Sequence, residues 1–324
     1  MSDCPRWPIW TSSPPPLLVQ PWQAGYYAMF SSEWNGITTD PRWMRVPVDD
    51  HVVHRGDGVF ETLKCVRGAI YALGLHLDRL EHSAKAIGLS LPVRRDELSE
   101  IVQATVHAGG HPDCLIRILL TRGPGGFGVD PAECPTPGLY VIAYRLAPPF
   151  MERHPEGARA ATVEVPLKPG WLATVKTCNY LPNVLMKAQA AQRGAHFPVV
   201  YDEHGYLAEG ATENLAVVTR DRRLLVPRPG RILDGITLQR VLALAQESCR
   251  EGVLGEVVRE HITRSEVIQA AELWVLGTSP DVTAIVELDG RPVGEGRPGP
   301  VWKDLSERLR RDQLENSSLR TPVF

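Results

Sequence analysis

The chain has few lysines, six in 324 residues: Lys64, Lys85, Lys168, Lys176, Lys187 and Lys303. It also lacks an excess of positive charge. A net charge of −3 argues against a dedicated binder of nucleic acid or another polyanion. Six cysteines (Cys4, Cys65, Cys114, Cys134, Cys178 and Cys249) are scattered without CxxC or CxH pairing, so neither a zinc site nor a disulfide framework is expected. No apolar run is long enough to span a bilayer. The amino end has neither the basic start nor the continuous apolar core of a signal peptide. A metal-free protein of the cytoplasm is the expectation.

With 43% hydrophobic residues the chain can bury a substantial core, divided over two domains. Residues 1–24, rich in proline and tryptophan, show no period and read as an irregular extension over the body. Residues 25–146 form a small N-terminal domain. In it short strands and turns lead to a hairpin turning at Arg67-Gly68, helices over 76–89 and 96–109, and strands over 114–121 and 138–145. The three prolines of LAPPFMERHPEG mark an interdomain linker over 147–157. Residues 158–324 form the larger domain. Strands outnumber helices and do not alternate strictly with them, so the fold class is α+β with mixed or antiparallel sheets. RGPGGFGVD (122–130) superficially resembles a phosphate loop, but Asp130-Pro131 follows where a helix should start.

The second domain holds the most informative stretch, Thr174 to Asn214. Lys176 ends a β-branched run, read as a strand end. A helix over 181–193 follows, with an apolar stripe at Val184, Leu185, Ala188 and Ala191 and a stop at Gly194. Strands over 197–202 and 206–209 then deliver Glu209. An amine that forms a Schiff base and an acid that holds a pyridinium nitrogen are the groups a pyridoxal phosphate enzyme most needs. Further on, Gly235-Ile236-Thr237 opens a helix, where backbone N–H groups favour an anion.

Six blocks carry a resemblance: HRGDGVFETL (54–63), HLDRL (76–80), VKTCNYLPNVL (175–185), EGATENL (209–215), ILDGITLQR (232–240) and GTSPDVTAI (277–285). In this order the sequence resembles the fold type IV (class IV) pyridoxal-phosphate-dependent aminotransferases, and is most similar to the plant-type D-amino-acid transaminases. The resemblance implies pyridoxal 5'-phosphate as cofactor, Lys176 as the Schiff-base lysine and proton carrier, and Glu209 on the pyridine nitrogen. Tyr180 would face the phenolic oxygen, with Asn214 supporting that region and Leu233 packing on the ring. Arg79, Gly235, Ile236, Thr237, Thr278 and Ser279 would form the phosphate cup. A homodimer with its active site near the subunit interface is likewise implied.

The substrate is less determined. Bacillary D-amino-acid transaminases place an arginine and a histidine in the loop after TRG, where this chain has Gly125-Gly126-Phe127. Aminodeoxychorismate lyases carry an arginine near Phe127. Arg55 and Arg117, with Phe60, are left as candidate substrate-binding residues. The alternative for Arg117, a charge within an apolar strand, is an ion pair with an interdomain carboxylate. Transfer of an amino group from a D-amino acid to 2-oxoglutarate or pyruvate is the expected reaction. A branched-chain L-amino-acid aminotransferase or a 4-amino-4-deoxychorismate lyase is the alternative.

Overall fold

The computed structural model describes residues 17–324. Most of the irregular extension expected over 1–24 lies outside them, and its described end leads into a short 3-10 turn at Pro21–Gly25. The chain then runs β1 (Tyr26–Ser31), β2 (Gly36–Thr38), α1 (His51–Arg55), β3 (Gly58–Val66), β4 (Ala69–Tyr71), α2 (Leu73–Ala86), α3 (Arg95–Gly109), β5 (Cys114–Thr121) and β6 (Gly138–Arg145). After α4 (Phe150–Arg153) come β7 (Ala158–Thr162), α5 (Leu181–Gln192), β8 (Phe197–Val199), β9 (Asn214–Val218), β10 (Arg223–Pro227), α6 (Ile236–Arg250) and β11 (Glu256–Glu260). The remainder is α7 (Arg264–Ile268), β12 (Glu272–Gly277), β13 (Asp281–Leu288), β14 (Arg291–Pro292), α8 (Pro300–Glu315) and β15 (Arg320–Pro322).

Among these residues two sheets form, as the α+β expectation requires. The first has the order β15-β4-β3-β5-β6-β1-β2 and is antiparallel throughout. The second, β11-β10-β9-β12-β13-β7-β8, is mixed: β10–β11, β13–β7 and β7–β8 are its parallel pairs. The final strand, grouped by sequence with the second half, pairs with β4 of the first sheet. Three residues with no strong period give no hint of so distant a partner. No helix is long and apolar enough to cross a membrane among the described residues.

Period-two alternation decides what each sheet face does. On β3 and β5, Val59, Leu63, Ile116, Ile118 and Leu120 pack under Leu77 and Leu80 of α2 and Leu98 and Val102 of α3. The opposite face presents Phe60, Thr62, Leu115 and Arg117 to a cleft. In the second sheet, β9, β10 and β12 are buried on both faces, which explains their near-continuous apolar runs. One face meets α6 and α8 through Trp274, Leu224, Leu238 and Leu305. Lys64 on β3 pairs with Asp281 at the start of β13, joining the two sheets beside the cleft.

Helix α5 forms where expected and is closed by Gly194 at positive φ. Its apolar stripe points outward, however. Val184, Leu185, Ala188 and Ala191 are exposed, whereas Asn183, Met186 and Ala190 turn inward. Lys176 also departs from expectation. Pro166, Pro169 and Gly170 interrupt the approach, and a 3-10 turn at Gly170–Thr174 replaces a strand. Glu209 similarly sits in an isolated bridge to Asn214.

Candidate active site

The segment carrying Lys176 is sewn onto the start of β3. Phe60 N–H donates to the Lys176 carbonyl at 3.0 Å, and Cys178 N–H donates to the Gly58 carbonyl at 2.9 Å. On its other side, Lys176 N–H donates to Ser83 Oγ of α2 at 3.3 Å. Gly56 makes the approach possible: its φ is +65°, and a Cβ there would lie 2.9 Å from Asn179 Cα. A side chain would meet both strain and collision.

The Lys176 ammonium lies 4.7 Å from the Phe60 ring centre and 3.5 Å from Tyr180 Oη. Phe60 and Tyr180 meet edge to face at 5.0 Å. Burial, then the positive charge of Arg79, pulls the Lys176 amine down to about 8, with Glu61 opposing and Arg117 and Lys168 assisting. An amine so placed can exchange protons near neutrality. Burial raises Tyr180 well above an ordinary phenol.

Glu209 is enclosed behind Tyr180, in a narrow crevice that it shares with Lys168, Asn214 and Leu233. Burial lifts its carboxyl to about 7, against the Leu233 N–H, which donates to Oε2 at 3.3 Å. Asn214 Nδ2 donates to the Leu233 carbonyl at 2.7 Å and so pins the turn that leads into α6.

That turn builds the anion cup. Gly235 precedes α6 without a side-chain cap, which leaves the first N–H groups of the helix open to an anion. A Cβ at Gly235 would fall 2.0 Å from Asn214 Oδ1, so any larger residue would displace the Asn214 amide that holds the Leu233 carbonyl. Ile236, Thr237, Thr278 and Ser279 line the same cleft, of about 780 Å³. Arg79 completes it, its Nη1 donating to the Asp234 carbonyl at 3.2 Å.

What holds Arg79 is a group that sequence reasoning missed. Glu61, wholly buried, accepts from Arg79 Nε and Nη2 at 2.7 Å each and from His76 Nδ1 at 2.7 Å. Burial alone would raise the Glu61 carboxyl, but Arg79 and then His76 bring it down to about 2. Burial conversely lowers His76. An ionised carboxylate can only accept, so the neutral imidazole carries its proton on Nδ1. The available signal was alternation: Phe60 and Thr62 face the cleft, so Glu61 must face α2, where His76 and Arg79 share a side.

Arg117 reaches the cleft as expected, with Cζ 4.9 Å from the Phe60 ring centre. It is exposed, with Thr62 Oγ1 at 3.4 Å, and it has no carboxylate partner among the described residues. The ion-pair alternative is therefore not what the structure contains. Glu209 lies in the adjoining crevice, and Arg55 is the one candidate that lines neither that crevice nor the cleft. It ends α1, where the left-handed Gly56 turns the chain, and its Nη2 donates to the Phe127 carbonyl.

A desolvated amine, an acid in the crevice adjoining its cleft and an anion cradle in the same cleft are the groups that a pyridoxal-phosphate site of fold type IV needs. The donor set fits that cofactor: open helix-start amides, hydroxyls and a fixed guanidinium suit its phosphate, and Glu209 suits its ring nitrogen.

Comparison with known proteins agrees. Residues 58–288 match the family described as amino-transferase class IV. The chain is 37% identical to the chloroplastic D-amino-acid transaminase of Arabidopsis thaliana over 288 residues, covering 89% of this chain and 76% of that one. It is 34% identical to a putative branched-chain-amino-acid aminotransferase of Methanocaldococcus jannaschii over 85% of this chain and 94% of the relative. Among solved structures it resembles the T.th. branched-chain amino acid aminotransferase with pyridoxamine 5'-phosphate, with a TM-score of 0.84 and 27% identity over 92% of this chain and 99% of the other. The chain belongs to the class IV aminotransferases, enzymes that use pyridoxal 5'-phosphate.

Proposed function

We propose that the protein transfers the amino group of a D-amino acid to a 2-oxo acid, 2-oxoglutarate or pyruvate, in two successive half-reactions. The observation that carries a carboxylate-bearing substrate is Arg117, whose guanidinium lies 4.9 Å from the centre of the Phe60 ring that the Lys176 amine also approaches, at 4.7 Å. A planar cationic fork without an acidic partner suits a carboxylate. The preference for the D-series rests on the similarity to the Arabidopsis thaliana transaminase. A branched-chain L-amino-acid substrate is the second reading, favoured by the Methanocaldococcus jannaschii relative.

The bound cofactor supplies an electron sink for the charge that develops at the substrate α-carbon. Lys176 Nζ removes the proton from the donor's α-carbon and returns one to the acceptor's. Glu209 would hold the ring nitrogen, and Tyr180 the phenolic oxygen. Arg79, Thr237, Thr278 and Ser279 would grip the phosphate, and Arg117 would orient the substrate carboxylate. Arg55, tied to the Phe127 carbonyl, is reassigned to holding the loop after β5.

We further propose a homodimer, with the exposed α5 stripe of Leu181, Val184 and Leu185 as part of the shared face. Apolar area of this kind beside a cleft is unfavourable in water and marks an association surface. Residues 147–157 are proposed as the boundary between two units, the first completed by β15.

The test is titration of the cofactor-loaded protein with D-alanine, D-glutamate, L-leucine and L-glutamate, each without acceptor, followed by the visible absorbance of the cofactor. Rapid change with the D-compounds alone is expected. Rapid change with L-leucine would replace this reading by the branched-chain one.

A further inference from the structure

Of the six lysines, Lys168 is the one that neither the reaction nor the surface accounts for. It sits between two prolines in PLKPG, on the loop from β7 to the 3-10 turn before Lys176. Lys64 pairs with Asp281, and Lys187 on exposed α5 donates to the His196 carbonyl. The Lys168 side chain instead runs inward. Its Nζ donates to the Val175 carbonyl at 3.2 Å and lies 3.5 Å from Thr177 Oγ1. These residues flank Lys176 directly. The same Nζ stands 5.3 Å from the centre of the Tyr180 ring and lines the crevice that holds Glu209.

We propose that Lys168 is a positioning residue of this site. Its amine ties the Val175 carbonyl and reaches the Thr177 hydroxyl, on either side of Lys176, and brings a cation beside the Tyr180 ring into the crevice of Glu209. Two consequences follow from Coulomb's law in a poorly hydrated interior. The charge disfavours protonation of Lys176 and favours ionisation of Glu209, the states a proton carrier and a ring-nitrogen partner require. Other charges face the same amine from each packed element: Arg79 from α2, Glu61 from β3, Arg117 from β5, and Glu209 from the loop before β9, where Glu213 acts in turn on Glu209. Arg79 is engaged by Glu61. Lys168 is the cation that acts on both Lys176 and Glu209 from the side of the crevice.

The inference rests on Lys176 being the reactive amine, and the test separates the two. Cofactor-free protein is labelled with trace acetic anhydride from pH 6 to 11. Acetylation of Lys176 is quantified by mass spectrometry against the exposed Lys303, in wild type, Lys168→Gln, Lys168→Met and Lys168→Arg. Wild-type Lys176 is expected to titrate well below Lys303. In Lys168→Gln, which keeps a donor for Val175, the Lys176 midpoint is expected to rise by roughly half to one pH unit. Lys168→Met should show the same rise, and Lys168→Arg should return it to the wild-type position. A depressed Lys176 midpoint that does not move in the glutamine variant would overturn the inference and leave the role of Lys176 standing. An ordinary midpoint for Lys176 in the wild type would remove both. In the loaded enzyme, the half-reaction rate of Lys168→Gln at pH 7.5 is expected to fall about tenfold with little change in donor KM. A loss confined to KM would contradict the positioning role.

Discussion

Glu61 meets Arg79 through two hydrogen bonds of 2.7 Å, and no part of the carboxylate reaches solvent. Arg79 can grip a phosphate only where this acid aims it, so the affinity of the cup depends on a residue that does not touch the ligand. Removing one partner of such a pair leaves a buried charge uncompensated, at a cost of about 3 kcal/mol or more. Glu61→Gln keeps the shape but only one acceptor oxygen, and turns an N–H donor toward the donors of Arg79 and His76. It is expected to lower cofactor affinity at least tenfold while leaving a folded protein, as measured by equilibrium dialysis and circular dichroism.

The same pair gives an acid dependence. The Glu61 carboxyl is held near 2 in the fold against 4.5 as its ordinary value. Its stabilising contribution is therefore present in full above about pH 5 and is lost as the pH falls through 2. The stability difference between wild type and Glu61→Gln should be large at pH 6 and should shrink steadily below pH 4.5. Chemical denaturation at a series of pH values measures it.

Glu209 behaves with the opposite sign. Its folded carboxyl, lifted to about 7, makes the buried ion costly in the cofactor-free protein as the pH rises from 4.5 through 7. Glu209→Gln is expected to raise the melting temperature of cofactor-free protein by a few degrees at pH 8 and to change it little at pH 5. In the loaded enzyme the same change should slow turnover severely, since a neutral amide cannot hold a protonated ring nitrogen.

Arg117→Ala should raise KM for both amino donor and oxo acid by roughly 10- to 100-fold, the range of a lost charge-assisted hydrogen bond. Cofactor affinity should stay near wild type, since Arg117 lies on the Phe60 face of the cleft and not in the cup. Steady-state kinetics with a parallel cofactor titration decides this. Equal losses in both would move Arg117 into the scaffold.

Lys176→Ala should abolish transamination and the visible band of bound cofactor without unfolding the chain, because the segment is held through main-chain bonds to β3. Leu185→Glu, on the exposed face of α5, should convert a dimer to monomers in sedimentation velocity. Unchanged sedimentation would place the shared face elsewhere.

Much of the fold was legible because long apolar periods speak plainly. The strands at 114–121 and 138–145 appear with those bounds, and α5 and α6 begin within a few residues of their expected starts. The cleft residues were legible through their motifs, and all but Glu209 and Arg55 line the main cavity. What escaped lies in three-dimensional pairing. Alternation along β3 turns Glu61 toward α2 but does not name Arg79 and His76 as its partners, and Lys168 reaches Val175 and Thr177 through an irregular turn that carries no period. The period of α5 was correct, but periodicity cannot say whether a stripe faces a core or another molecule. The contact of Arg55 with the Phe127 carbonyl, 72 residues along the chain, has no local pattern either.

Strand β15 lies about 250 residues downstream of the β3–β4 hairpin it completes, and Arg320 reaches back to the Val66 carbonyl at 3.2 Å. During synthesis, the edge of the first sheet therefore stays open until the whole second sheet has emerged. The half of the site that carries Phe60, Arg79 and Arg117 is closed last, by residues that never touch a ligand. Loss of β15 would thus act as a folding defect in the first sheet, far along the chain from the residues removed.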